Sequence, residues 1–393
     1  MTGIVIVGAG ECGVRAAFAL REQGYAGEIT LIGAEATLPY ERPPLSKSGE
    51  VKPIRAADAY QDKAITLRLG DPVNGIDRAL RRVSLAGGEM LDYDRLLLAT
   101  GARARLFPGM EGCLTLRTDA DAQSILSQLK RGARIGIVGG GFIGLELAAL
   151  ARAAGAEVTV VEATSRLLGR AVPPQIAQVL QDRHVAEGVM LMLGTGVSSA
   201  DANRIVFADG KVLNFDAVIA GVGAMPNTDL AETSGVDVQN GIVVDGDFRT
   251  SDPHVFAAGD CCNFGWRGQR VRLESWKAAQ DQGEHAAKAM LGQSTAYSKA
   301  PWFWSDQYDQ GLQVAGLFDL AAPIRSRSTG HGTTVVFQTD SAGTLIAAAG
   351  IGPGNTTSKD IRIFEKLIER QAAVDTDVLA DPEQNLKRLL KAA

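Results

Sequence analysis

Apolar residues fall along the chain in short runs that end in glycine. The first run, "IVIVGAG", begins at position 4, and the stretch 14–22 after it carries apolar residues at helical spacing. "ITLIG" then reads as a second buried strand. Strand, glycine turn, helix and strand in that order predict a βαβ unit with a parallel sheet. The arrangement recurs from Gly139: "RIGIVGG" is a strand, 142–153 is helical and "EVTVVE" is the next strand. The distance from Gly8 to Gly139 is far longer than a solenoid repeat and fits a duplicated domain.

Three more buried runs, "DRLLLATG", "FDAVIAGVGAMPN" and "HVFAAGD", end in small residues. Each reads as a strand whose carboxyl end leads to a ligand crevice. From about Pro301 the pattern changes. "PWFWSDQYDQGLQVAGL" alternates aromatic and polar residues, "TTVVFQT" and "TLIAAAG" read as strands, and 359–369 and 383–393 as helices. The predicted fold is α/β, with two Rossmann-like dinucleotide-binding domains and a C-terminal α+β domain.

Composition narrows the function classes. At 46% hydrophobic and 22% charged the chain is an ordinary globular protein. A net charge of −5 disfavours nucleic acid or an anionic membrane as partner. No run approaches the ~18 apolar residues of a membrane span, and the immediate first strand predicts no signal peptide. Four cysteines without C-x-x-C spacing and four scattered histidines predict no disulfide framework and no metal site, and suit a reducing cytoplasm.

The two glycine turns carry the chemistry. In G-x-G-x-x-G the first glycine permits the turn, the second lets backbone approach a pyrophosphate, and the third lets helix pack on strand. Gly8, Gly10 and Gly13 fit, as do Gly139, Gly141 and Gly144. Glu162 closes "VTVVE" where a carboxylate accepts from a ribose 2′-hydroxyl and repels a 2′-phosphate, which predicts NADH over NADPH; Arg166 nearby works against that preference. In the first unit the acid, Glu35, comes a residue or two late, and suits either the ribose or a solvated loop. Two dinucleotide sites imply one tightly held and one exchanging cofactor, and hydride chemistry between them calls for a flavin.

"YERPPLSK", "LLLATGARAR", "VGGGFIGLELA", "AGVGAMPN", "VFAAGDCC" and "PWFWSDQYDQGLQVAGL", in that order, resemble the FAD-dependent NADH:ferredoxin reductases of bacterial oxygenase systems. These are part of the glutathione-reductase-like flavoprotein class. The resemblance covers nearly the whole chain and weakens after about Ala321. It implies an FAD domain at 1–107 and 228–299, an NAD domain at 108–227 and a C-terminal domain at 300–393. It places Arg42 near the FAD pyrophosphate, Lys47 beside the isoalloxazine, Thr100, Gly101 and Arg117 against FAD, Asp260 on FAD hydroxyls at a helix start, and Trp276 at the pyrimidine edge. Glu146 would lie by the nicotinamide and Gly223 would contact NADH. Cys12, Val73, Ile143, Gly259 and Ser275 complete the implied cofactor contacts. Lys47 and Glu146 are the implied catalytic pair. A lysine there stabilises negative charge on a reduced ring. Trp302 and Trp304 suit either packing in a sheet face or shielding of the flavin and docking of a partner. Departures from the family are Ala34 in place of an acid, the pair Trp276-Lys277, and the glycine-rich "IGPGNTTSKDIR".

Disulfide reductases of the class carry C-x-x-x-x-C where this chain has "RPPLSKSGEVK", with no cysteine. Cys12, inside the first turn, reads as small filler, and adjacent Cys261 and Cys262 are too strained to pair. The expected function is therefore hydride transfer from NADH to FAD, then single electrons to a two-iron two-sulfur ferredoxin. Alternatives are a rubredoxin reductase, an NADH oxidase, or a flavin-dependent redox-sensing binding protein resembling the apoptosis-inducing flavoproteins. Arg267, Arg270 and Arg272, and Arg325 and Arg327, are candidates for steering an acidic ferredoxin, or are solvated surface charges.

Overall fold

A computed structural model describes residues 3–392 apart from 329 and 331. The chain forms two compact units. The first comprises Met1–Pro44, Glu50–Arg103 and Ala224–Lys299. Its five-stranded parallel sheet has Ile4–Val7 at the centre. Ile29–Gly33 and then Ile65–Leu69 lie on one side, and Arg95–Leu98 and then Val255–Ala257 on the other. All four residues of Ile4–Val7 are buried, as expected of a strand covered on both faces.

Helix Glu11–Glu22 packs against helix Trp276–Met290. A Cβ on Gly283 would stand 2.4 Å from the Cys12 carbonyl oxygen, so only glycine lets the two helices come this close. Arg15 joins them at the rim, 2.7 Å from Glu284.

The second unit comprises Leu45–Gly49, Ala104–Gly223 and Ala300–Ala393. It holds a four-stranded parallel sheet in the order Met190–Met192, Glu157–Val161, Arg134–Val138 and Ala217–Ala220. A five-stranded antiparallel sheet runs Trp302–Gln307, Gln310–Gly316, Leu345–Pro353, Thr334–Thr339 and Arg325–Ser328. One apolar core joins them: Ile135, Ile137 and Leu147 belong to the same buried cluster as Leu312, Val314 and Ile351. The expected boundary at 299/300 falls between these residues in the sequence, and their side chains share one buried cluster.

The alternation in "WFWSDQ" has its counterpart in this unit. Phe303, Ser305 and Gln307 lie on one face of the strand Trp302–Gln307, and Trp302 and Trp304 on the other. Phe303 meets Phe142 of helix Phe142–Ala153 edge to face, with ring centroids 5.1 Å apart. Trp302 and Trp304 stack with centroids 5.5 Å apart. No described helix is long and apolar enough to cross a membrane.

Candidate functional site

The two glycine turns are built alike, each inside its own unit. Gly8 has φ +113°, and a Cβ there would meet the Ala99 carbonyl oxygen at 2.1 Å; Gly139 has φ +106°, and its Cβ would meet the Gly221 oxygen at 2.4 Å. The third glycines are excluded from substitution in the same way. A Cβ on Gly13 would lie 1.9 Å from the Gly8 oxygen, and one on Gly144 2.3 Å from the Gly139 oxygen.

The middle glycines differ in kind. A Cβ on Gly10 would meet no described atom within 4 Å, and one on Gly141 would find its nearest neighbour 3.9 Å away. Gly10 and Gly141 are also the N-caps of helices Glu11–Glu22 and Phe142–Ala153, and neither helix start has a side-chain cap. Each turn therefore offers open space facing unsatisfied backbone N–H groups, which is what a pyrophosphate requires. The residues present fit FAD at the first turn and NADH at the second.

In the first unit, Thr100 and Gly101 are tied to the 224–227 crossover. Thr100 Oγ1 donates to the Asn227 carbonyl at 2.6 Å, and the Asn227 backbone N–H donates to the Gly101 carbonyl at 2.9 Å. Glu35 is neither at liberty nor a simple loop charge: it accepts from the Tyr40 hydroxyl at 2.5 Å and pairs with Arg42 at 2.6 Å. The ribose candidate and the pyrophosphate candidate thus form one cluster. Val73 begins a strand, Val73–Asp77, of a separate antiparallel meander.

Asp260 departs from its expected place at a helix start. No helix begins there: Gly259, at φ +84°, turns the chain, and Cys262–Trp266 is a strand. The nearby helix starts at Trp276, capped by Ser275, whose Oγ accepts from the Ala278 N–H at 3.2 Å. Gln282, which nothing in the sequence pattern singles out, is fully buried and accepts from the Gly259 N–H at 2.8 Å. It so fixes the turn that presents Asp260.

In the second unit, Glu162 accepts from the Gly140 N–H at 2.8 Å, the Thr164 N–H at 2.7 Å and the Thr164 hydroxyl at 2.8 Å. It is held against the turn it serves, with about one of a carboxylate's four acceptor positions left. Arg166 is engaged with backbone nearby. The guanidinium donates to the carbonyls of Gly169 at 2.8 Å and Val172 at 3.1 Å, and burial lowers its pKa. Ile143 is 45% exposed on the first turn of its helix, an apolar side chain left uncovered beside the glycine turn. Gly223, at φ +114°, accepts from the Arg105 N–H at 2.9 Å. Arg117 precedes a helix whose capping box joins Thr118 and Asp121, and its N–H donates to Asp121 at 2.9 Å.

The catalytic candidates meet. Lys47 Nζ lies 3.3 Å from Glu146 Oε2. Glu146 is 6% exposed on helix Phe142–Ala153. The Ser46 hydroxyl donates to the same Oε2, and the Ser305 hydroxyl donates to Oε1 at 2.6 Å. Lys47 Nζ also lies 5.8 Å from the centre of the Trp304 ring. Each partner named for this buried carboxylate is a donor. The two serines were not legible as site residues.

All four cysteines are free and buried. Burial pushes the Cys12 and Cys262 thiols well up, raises Cys261, and takes Cys113 to about 11. Neutral, buried thiols are poor nucleophiles. Cys12 packs against Gly259 as filler.

Four of the five arginine candidates make local bonds. Arg327 is 4% exposed and donates to the carbonyls of Leu379 and Gln384, each at 2.9 Å. Arg325 is held by Thr376 and Asp377, Arg272 pairs with Glu274, and Arg270 donates to Asn263. Charge in the sequence is here spent on local bonds.

The chain belongs to the pyridine nucleotide-disulphide oxidoreductase family, whose model matches residues 2–283. A second model, reductase C-terminal, matches residues 302–390 and narrows the class. Over 98% of both chains, the sequence is 41% identical to the ferredoxin–NAD(+) reductase component of the anthranilate 1,2-dioxygenase system of Burkholderia cepacia. It is 35% identical to putidaredoxin reductase of Pseudomonas putida, over 99% of this chain and 97% of that one. Among solved structures, the covalent putidaredoxin reductase–putidaredoxin complex matches with a TM-score of 0.93 at 34% identity, covering 100% of this chain and 99% of that one. A ferredoxin reductase from Rhodopseudomonas palustris matches with a TM-score of 0.92 at 35% identity, over 99% of each.

Proposed function

We propose that this protein is an NADH-dependent ferredoxin reductase of an oxygenase system, acting in the cytoplasm. It uses FAD and NADH and delivers electrons to a two-iron two-sulfur ferredoxin. The observation that carries the reading is the Lys47–Glu146 pair at the position where a thiol relay would be needed, in a chain whose four thiols are all buried and unpaired. The names of the relatives, a ferredoxin–NAD(+) reductase component of a dioxygenase system and a putidaredoxin reductase, support the acceptor. In this reading 1–107 and 228–299 form the FAD domain, 108–227 the NAD domain and 300–393 the C-terminal domain.

Each residue has a defined task. The backbone N–H groups at 10–13 and 141–144 bind the phosphates of the two nucleotides. Glu162 takes a ribose hydroxyl and turns away a 2′-phosphate, with Arg166 engaged elsewhere. Bound FAD supplies the exchange between two-electron and one-electron chemistry. Glu146 holds the Lys47 ammonium in place, and that fixed positive charge offsets negative charge developing beside it. Ser46 and Ser305 hold Glu146.

The test is anaerobic rapid mixing of the holoenzyme with NADH, then with oxidised ferredoxin. The reading expects fast bleaching of the flavin by NADH and fast reoxidation by ferredoxin. Bleaching without reoxidation by any two-iron ferredoxin, but with rapid reoxidation by dioxygen, would make it an NADH oxidase.

A further inference from the structure

Behind Ser305 a line of buried polar side chains continues away from Glu146. Gln307 Nε2 donates to Ser305 Oγ at 3.0 Å. Gln307 Oε1 faces His184 Nε2 at 2.8 Å, and His184 Nδ1 faces the Tyr308 hydroxyl at 3.1 Å. Ser305 and Gln307 are each 1% exposed and His184 is fully buried, at the last turn of helix Pro174–Ala186. None of these three has a task in the reading above beyond the single Ser305 bond.

The protons of this line can be arranged in one way. Glu146, paired with an ammonium, only accepts. The single proton of Ser305 therefore goes to Glu146 Oε1, and Ser305 must receive from Gln307. The amide nitrogen of Gln307 is thus turned to Ser305, and its oxygen to His184. An amide oxygen only accepts, so His184 carries its proton on Nε2. Burial lowers the His184 pKa, which keeps the ring neutral and leaves Nδ1 to accept from Tyr308. Every bond then points the same way, from Tyr308 to the carboxylate. A line of aligned donors polarises along its length and holds its terminal acceptor more firmly than one hydroxyl would.

We propose that Ser305, Gln307 and His184 are positioning residues that fix the Glu146 carboxylate, and through it the Lys47 ammonium. They act through Glu146. This rests on the reading that Lys47 and Glu146 are the reacting pair, yet it is tested on the pair itself and not on the acceptor.

The experiment is trace acetylation of the FAD-bound enzyme with acetic anhydride, comparing Lys47 with Lys288 and Lys366 by peptide mass spectrometry. The variants are Ser305→Ala, Ser305→Thr and Gln307→Met. With the line cut at Ser305→Ala, Lys47 labelling is expected to rise ~3- to 10-fold, a part of what a hydrogen bond to a charged group is worth. The reference lysines stay unchanged, and Ser305→Thr, which keeps the hydroxyl, returns Lys47 to its starting value. The same Ser305→Ala enzyme should lose flavin reduction rate at saturating NADH while its Kd for NADH stays within about twofold. Should Ser305→Ala not fold, Gln307→Met carries the test, with a smaller rise in the same direction. Unchanged Lys47 labelling in the folded variants, or a rise that Ser305→Thr does not reverse, overturns the proposal. Slow reduction by NADH with all labelling unchanged would place these residues in the packing alone. Loss of ferredoxin activity in the unmutated enzyme would count against the acceptor and leave this result untouched.

Discussion

Lys47 Nζ and Glu146 Oε2 stand 3.3 Å apart although 99 positions separate them in the chain, and the carboxylate half of the pair is buried. Replacing Glu146 by Gln keeps the size and removes the charge. It also turns an amide nitrogen toward donors, because Ser46, Ser305 and Lys47 all donate to this group. We expect Glu146→Gln to slow flavin reduction by NADH by about 10- to 100-fold, as loosened positioning does. The KM for NADH should move by less than about threefold. Stopped-flow reduction across a range of NADH concentrations separates the two effects.

The glycines of the first turn should fail in different ways. Gly10→Ala adds a methyl that meets no described atom of the protein. Fold stability should change by no more than about 1 kcal/mol, as at other N-caps, while FAD retention falls because the methyl occupies the phosphate's space. Gly13→Ala drives a methyl to 1.9 Å from the Gly8 oxygen, so the turn itself must shift. That variant should lose both FAD and several degrees of Tm. The ratio of flavin to protein absorbance, read beside a melting curve, distinguishes them.

On the proposed reading, cofactor choice turns on Glu162, while Arg166 is engaged with backbone carbonyls. Glu162→Ala should lower the NADH over NADPH ratio of kcat/KM by about tenfold, since it removes both an acceptor and a repelling charge. Arg166→Ala should leave that ratio alone and lower Tm, because the guanidinium caps carbonyls of 167–172. An Arg166→Ala enzyme that discriminates more sharply against NADPH would show the arginine reaching the nucleotide.

Acid sensitivity is expected from Glu284. Hydrogen bonds from Lys288 and Arg15 lower its pKa from 4.5 to about 2. A carboxylate lowered on folding stabilises the fold above the unfolded value, and that contribution is lost as pH falls from 4.5 toward 2. Because the side chain is partly exposed, the effect is small. Glu284→Gln should lower Tm by ~1–3 °C at pH 7, and the difference from the unmutated protein should shrink below about pH 4.

Some of this was readable in the sequence and some was not, for physical reasons. A phosphate turn is local: strand, three glycines and helix lie close together in the chain, so spacing alone located Gly8–Gly13 and Gly139–Gly144. The Lys47–Glu146 pair came from family resemblance, since nothing in spacing joins residues so far apart. Ser305 and Gln307 looked like polar members of an alternating strand; what made them a line was His184 arriving from a helix far earlier in the chain. Asp260 misled because a small-residue strand end often opens a helix, whereas here Cys262–Trp266 continues as strand. The partners of the arginines were not readable because sequence reports charge and not what the charge faces. Arg327 is spoken for by the backbone carbonyls of 379–384.

The most direct test of the central claim is NADH-driven reduction of cytochrome c by the holoenzyme, with and without a two-iron ferredoxin, under anaerobic conditions. The account predicts a slow basal rate that rises at least about tenfold and saturates with ferredoxin, and that persists after replacement of all four cysteines by alanine or serine. A rate indifferent to every two-iron ferredoxin supplied, or one abolished by cysteine replacement in a protein that still binds FAD, would contradict it.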